Sequence, residues 1–364
     1  MSAVVALRER PHAVHAAAEP SIAVALVGTG LVGSAVLRRL ALDAFPLSLV
    51  GVANSRRSLA NTAGLAVGTV IERLASEGAA ADVEHLVETL LRSPAQVCVL
   101  IDATPSETIA RRHADWLAAG VNVVSANKIA LGTTRERWHS LRAGAQAGAT
   151  RYGDAATVGA GLPALATLRR LRRCGDRVLG IEGVFSGSLS FLFNRLDGTQ
   201  AFSRLLAEAF ERGYTEPDPR ADLSGADVAR KLLILARAAG FDLQPEDINV
   251  ESLVPQELAA LPAAEFSQRL PELDAVIEAR RRAASEQGKV LRYLASFDPE
   301  HGARVSLEAV QPSHPAAQLE GADNLFAFTT TRYHERPLVI RGPGAGADVT
   351  AQALIADVLE IAAL

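Results

Sequence analysis

Cysteine is scarce in this chain: Cys98 and Cys174 are far apart, and neither stands beside a histidine or a second cysteine. No disulfide framework or paired redox motif can be built from them, which suits a reducing cytoplasm. No apolar run reaches the roughly 18 residues that a membrane helix needs. Basic residues are not in excess, with 37 Lys and Arg against 41 Asp and Glu and a formal net charge of -4, and that balance argues against nucleic acid as a partner. The histidines, His113 and His139 among them, have no ligand-like spacing and read as surface or capping residues. Repeats and low-complexity linkers are missing too. The first twenty residues carry Arg8, Glu9 and Arg10 after a short apolar run, the reverse of a secretory signal, and read as a loose leader.

With 364 residues, 49% of them hydrophobic and 21% charged, the chain has material for two ordinary cores. The first half carries short apolar runs that break at polar or glycine turns: IAVALV at 22–27, then 47–53, 97–101 and 121–125. Helix-like stretches alternate with them, which indicates βαβ units and a parallel sheet with its ligand at the carboxyl ends of the strands. The texture changes near Thr150. Helices are expected at 164–173, 202–212 and 227–239, with peripheral helix-prone sequence at 258–286. A strand is expected over 179–190, followed by strands of an antiparallel sheet at 290–296, 303–310, 325–333 and 338–340, and by an amphipathic helix from Asp348.

Gly28-Thr29-Gly30-Leu31-Val32-Gly33 follows the first strand and opens a helix. In that context the glycines allow a tight turn and a close approach of backbone to a pyrophosphate at the helix N-terminus. After the second strand come Asn54, Ser55, Arg56 and Arg57. There is no acid for a ribose hydroxyl, and the guanidinium groups can grip a 2'-phosphate, so NADP is favoured over NAD. A solvated loop is the alternative reading of the two arginines. Thr104, after the third strand, would lie beside the nicotinamide half. Cys98 sits inside that strand and reads as a small buried side chain.

The densest stretch is GYTEPDPRADLSGADVARKLLILAR at 213–237. Asp227 and Lys231 are four apart and share a helix face, beside Val228, Leu232 and Leu235, which want a core. A carboxylate and an ammonium there are paired or serve chemistry. Asp218 and Arg220 read as a turn-stabilising pair, and Arg169, Arg170, Arg172 and Arg173 as a solvated helix face.

The dinucleotide loop, SANK at 125–128, ATVGAGLP at 156–163, FSGSLS at 185–190 and the 213–237 block together resemble homoserine dehydrogenase, most of all the dehydrogenase half of the bifunctional aspartokinase–homoserine dehydrogenases. The resemblance runs from about Ile22 onward, with no kinase-like sequence before it and no regulatory ACT-like sequence after it. It implies an α/β fold in which a Rossmann-type nucleotide-binding domain is joined to an α+β substrate-binding and dimerisation domain. The expected limits are 1–20 for the leader, 21–150 for the nucleotide-binding domain, 151–335 for the second domain, and 336–364 for a segment returning to the first.

The implied reaction is hydride transfer between NAD(P)H and aspartate 4-semialdehyde, giving L-homoserine for threonine, methionine and isoleucine. Lys231 is similar to the residue assigned the proton transfer, and Lys128 would stand by the nicotinamide and the reacting oxygen. Glu216 and Asp227 resemble the groups that hold the substrate's amino end and its surroundings, with Asp222 in the same acidic cluster and suited to the same ammonium, while Gly213 and Gly346 match backbone contacts to the cofactor. A monovalent cation such as Na+ is implied on the carbonyls of Val158, Ala160 and Leu162, but Ala155 stands where the family often has an acid, with Asp154 one place earlier. A homodimer in the cytoplasm is the expected state. Two other readings stay open: a dehydrogenase for another small amino-acid alcohol, and a dinucleotide-responsive regulatory subunit without turnover.

Overall fold

The structure is a computed structural model that describes residues 21–43 and 45–363; the expected leader lies outside the described residues. The first half of the chain runs through β1 (Ile22–Val27), α1 (Leu31–Leu42), β2 (Leu47–Ala53), β3 (Arg57–Ala60), α2 (Val70–Glu77), β4 (Ala79–Ala80), α3 (Val83–Arg92), β5 (Val97–Asp102), α4 (Glu107–Ala118), β6 (Asn122–Ser125), α5 (Arg135–Ala147) and β7 (Tyr152–Gly153). These strands form one sheet in the order β4-β3-β2-β1-β5-β6-β7. β2, β1, β5, β6 and β7 are mutually parallel, and β3 and β4 extend the edge antiparallel. All six residues of β1 are buried. That explains why it reads as an unbroken apolar run: helices cover both faces of a parallel sheet.

The second half begins with α6 (Ala164–Arg173), β8 (Val178–Val184), α7 (Gly187–Arg195), α8 (Phe202–Glu211), α9 (Arg220–Leu223), α10 (Ala226–Ala239) and β9 (Ile248–Val250). It continues through α11 (Gln256–Ala259), α12 (Ala263–Arg269), α13 (Glu272–Glu286), β10 (Val290–Asp298), β11 (Gly302–Val310), β12 (Asp323–Thr330), β13 (Leu338–Pro343) and α14 (Ala347–Ala362). Its sheet runs β13-β12-β8-β10-β11-β9. The expected antiparallel pairing holds except at β9, which lies parallel to β11. The expected strand over 179–190 stops at Val184. Ser186 takes the Leu189 N–H on its hydroxyl at 3.2 Å, and α7 starts there, burying Leu189, Leu192 and Phe193 at helical spacing.

α14 does not pack with the second sheet. Its Ala351, Leu354, Ile355 and Val358 join Ile22, Val24, Ala35 and Val36 in one buried cluster against α1 and the first sheet. Each of the larger side chains contributes about 1.5–3 kcal/mol by leaving water. No helix among the described residues is long and apolar enough to cross a membrane.

Candidate active site

Strand order reverses between β1 and its neighbours β2 and β5, and the Gly28–Gly33 loop leaves β1 at that point, where parallel sheets bind ligands. Gly28 has φ +99°, and a Cβ there would stand 2.8 Å from the Thr104 methyl, while a Cβ on Gly33 would meet the Gly28 carbonyl oxygen at 1.8 Å. These two glycines are required by the protein itself. A Cβ on Gly30 would meet nothing within 4 Å. Gly30 caps α1 without a side-chain acceptor, and Leu31 in the first turn is 84% exposed, so the N–H groups of Leu31, Val32 and Gly33 have no side-chain cap. An open, uncapped helix N-terminus approached by glycine fits a pyrophosphate.

The two arginines after β2 separate. Arg57 donates from Nη1 to the Gly78 carbonyl at 2.9 Å, whereas Arg56 is exposed with its side chain free of hydrogen bonds among the described residues. The Asn54 carboxamide oxygen accepts both their backbone N–H groups, at 2.8 and 2.9 Å, and fixes the turn.

A cleft of about 1230 Å³ opens between the two halves, with Pro105 and Lys128 on one side and α7, α9, α10 and the Gly344–Gly346 turn on the other. It is lined by Lys128, Gly213, Glu216, Asp222, Asp227, Lys231 and Gly346, all named from sequence. The start of α10 makes this possible. Gly225 adopts φ +74°, and a Cβ there would lie 2.1 Å from the Tyr293 hydroxyl, so the chain turns tightly and delivers Asp227 into the first helical turn. There the helix dipole favours a carboxylate.

Asp227 is shared between the two lysines. Lys231 Nζ approaches its Oδ2 at 2.7 Å, and Lys128 Nζ, from the loop after β6, approaches its Oδ1 at 3.7 Å. Lys231 is nearly buried and donates a second hydrogen bond to the Phe185 carbonyl at 2.7 Å. Burial works against the Asp227 carboxylate, but Lys231 and Lys128 outweigh it and hold its pKa well below the usual range. Asp227 pulls the Lys128 pKa up, yet burial with Lys231 and Arg230 prevails, and Lys128 titrates below the ordinary lysine value. Burial pushes Asp222 up, although Ser188 donates to its Oδ1 at 2.7 Å and the Glu216 N–H to its Oδ2 at 2.9 Å. Glu216 presents an exposed carboxylate at the cleft rim. Two ammoniums, one of them weakened, thus face acidic groups across a cleft, which suits reduction of a carbonyl on a substrate carrying its own ammonium.

Sequence reasoning missed Ser188, Arg230 and Tyr214, which also line the cleft. The serine lies in the quoted FSGSLS motif, and Arg230 in DVARK; nothing in the pattern separates their orientation from that of their neighbours. His113 is a correction. It is fully buried, not at the surface, on the same face of α4 as Ala110, Trp116 and Leu117. That helical spacing was the available signal. Arg169 is a second correction, because it leaves the solvated face of α6 to pair with the buried Asp154. The turn pair holds: Arg220 Nε donates to Asp218 Oδ1 at 2.9 Å.

In the TVGAGLP turn Gly159 and Ala160 both have positive φ, +77° and +50°. For alanine the left-handed region costs about 1 kcal/mol or more. The carbonyls of Val158 and Ala160 accept no hydrogen bond among the described residues, and that of Leu162 accepts the Ala164 N–H at 2.8 Å. Carbonyl ligation of a small cation fits this turn. Asp154 is turned toward Arg169, and Asp357 of α14 accepts the Ala155 N–H at 2.9 Å.

Comparison with known proteins gives two family matches, "Homoserine dehydrogenase" over residues 163–359 and "Homoserine dehydrogenase, NAD binding domain" over residues 28–152. A chloroplastic bifunctional aspartokinase/homoserine dehydrogenase 2 of Zea mays is 42% identical across 94% of the chain, which spans only 38% of that protein's length. The homoserine dehydrogenase of Emericella nidulans is 38% identical, with 92% of this chain and 97% of the fungal protein covered. Among solved structures, a Candida auris protein of unknown function superposes with a TM-score of 0.88 at 35% identity, covering 94% of this chain and 99% of its own.

Proposed function

The chain belongs to the homoserine dehydrogenase family, and from that premise we propose that it catalyses hydride transfer between NADP(H) and the pair aspartate 4-semialdehyde and L-homoserine, with NAD(H) as the weaker cofactor. The observation that carries this reading is the Asp227 carboxylate held between Lys231 and Lys128 at the cleft. When bound, the nicotinamide supplies the hydride. As it arrives, charge grows on the aldehyde oxygen, and the two ammoniums are the cations available to stabilise it. Lys231 is our choice as proton donor, because Asp227 and the Phe185 carbonyl orient its ammonium, while Lys128 assists from the nicotinamide side. Glu216 and Asp222 would hold the substrate ammonium.

The Gly28–Gly33 loop and the N-terminus of α1 would take the pyrophosphate, Arg56 the 2'-phosphate, and Thr104, Gly213 and Gly346 the remaining cofactor contacts. The carbonyls of Val158, Ala160 and Leu162 are the proposed seat of a monovalent cation such as Na+. We also assign residues 21–150 to the nucleotide-binding domain, 151–335 to substrate binding and dimerisation, and the remainder to the return of α14; a homodimer in the cytoplasm, serving threonine, methionine and isoleucine synthesis, completes the proposal.

Purified protein should oxidise NADPH on addition of aspartate 4-semialdehyde. NADPH binding without turnover would favour the regulatory reading instead, and a higher kcat/KM for another amino-acid alcohol than for homoserine would move the substrate assignment.

A further inference from the structure

We propose that Asp102 and His113 are positioning residues for the cofactor, acting through Thr104. The inference rests on the dinucleotide reading of the Gly28–Gly33 loop and adds a device behind that loop which touches no substrate.

Asp102 ends β5 and is fully buried. Its Oδ1 accepts both the backbone N–H of Thr104 at 2.9 Å and the Thr104 hydroxyl at 2.7 Å. Its Oδ2 stands 3.1 Å from Nε2 of His113, which is itself fully buried on α4; the two approach at ion-pair distance without hydrogen-bond geometry, and neither atom has another partner among the described residues. The other imidazole nitrogen, Nδ1, lies 3.0 Å from the hydroxyl of Tyr152 on β7. A carboxylate and an imidazole enclosed together at the end of a strand are costly to desolvate, and an apolar pair of the same volume would hold the sheet as well or better. The polar pair therefore calls for a reason beyond packing.

Thr104 supplies one. With its hydroxyl proton given to Asp102, its oxygen accepts the Ser106 N–H at 3.2 Å, and its methyl is turned against Gly28, 2.8 Å from where a Cβ would stand. Ser106 in turn caps α4, and its carbonyl accepts the Asn127 carboxamide at 2.9 Å, next to Lys128. One buried carboxylate thus fixes the wall between the dinucleotide loop and the cleft. Without it, Thr104 can rotate its methyl into the space the cofactor needs.

The test compares the full-length protein with Asp102→Asn, Thr104→Val and the double variant, reading NADPH affinity by fluorescence titration, kcat and KM for homoserine, and melting temperature. We expect each single change to weaken NADPH about tenfold, with the homoserine KM within twofold, and the double variant to be no worse than the weaker-binding single one, as for groups acting in series. Thr104→Ser should recover most of the affinity lost in Thr104→Val. If Asp102→Asn does not fold, His113→Gln takes its place in the same comparison with Thr104→Val, with the same expected loss and the same non-additivity. NADPH affinities within twofold of the unchanged protein, or effects that add in full, would overturn the inference. Failure of the unchanged protein to bind NADPH would instead remove the dinucleotide reading itself.

Discussion

Asp227 illustrates how one residue can govern two others. Its charge is the largest influence on Lys128 and acts to keep that lysine protonated, against burial and two neighbouring cations. Neutralising it in Asp227→Asn removes that pull, so the Lys128 pKa falls further. The basic limb of the kcat/KM profile for aldehyde reduction should then move to lower pH; a limb that stays in place would assign it to another group. Lys231→Met should reduce kcat by about 10²-fold or more, within the range for loss of a general acid, with NADPH affinity retained in a titration. Arg56→Ala should raise the KM for NADPH about tenfold, equivalent to ~1.4 kcal/mol, and leave that for NADH unchanged. Parallel KM changes for both cofactors would return Arg56 to the solvated loop. The residues that line the cleft were legible in two ways: Asp227 and Lys231 by their shared helix face, with Glu216 and Asp222 in the acidic turn before them, and Lys128 only through the motif that carries the family resemblance. The buried pair Asp102 and His113 was not legible, because their partnership is made by tertiary contacts between β5 and α4.

Elements were readable where one period dominates. β1 and α10 were expected within a residue of their observed limits, because an all-apolar run and a capped amphipathic stretch leave few alternatives. Residues 185–190 were misread because the alternation of small and apolar side chains in FSGSLS fits a strand locally, and only the Ser186 cap with buried residues at helical spacing selects α7. Gly225→Ala adds a Cβ into the Tyr293 hydroxyl and forces alanine into the left-handed region, so it should cost at least about 1–2 kcal/mol. Turnover should fall alongside, because the same turn aims Asp227. Chemical denaturation with activity measurements would check both, and an unaltered midpoint would show that the turn relaxes freely.

Across the whole molecule, the cleft lies between two halves that α14 ties together. At that tie Asp357 is pushed up to about 7, chiefly by burial and then by Asp154, with the Ala155 N–H and Arg169 opposing and Glu360 adding to the rise. An aspartate in an unfolded chain titrates near ~3.9. The folded protein therefore holds this proton more tightly: the stability it contributes is full below about pH 4 and is lost as pH rises through about 7. Asp357→Asn keeps an acceptor for the Ala155 N–H and removes the titration. Its melting temperature relative to the unchanged protein should rise between pH 5 and pH 8, and a constant difference would exclude Asp357 as the source.

α14 has a further consequence for the order in which the molecule is made. β1 and α1 precede both sheets' remaining strands in the chain, but the helix that covers part of their apolar surface is encoded after both sheets. Until it arrives, Ile22, Val24, Ala35 and Val36 lack part of their packing, so the cofactor-binding half cannot reach its final stability as a nascent chain. The packing of β1 and α1 is therefore completed only after both sheets have been translated, and the first and last elements of the fold settle in one late step.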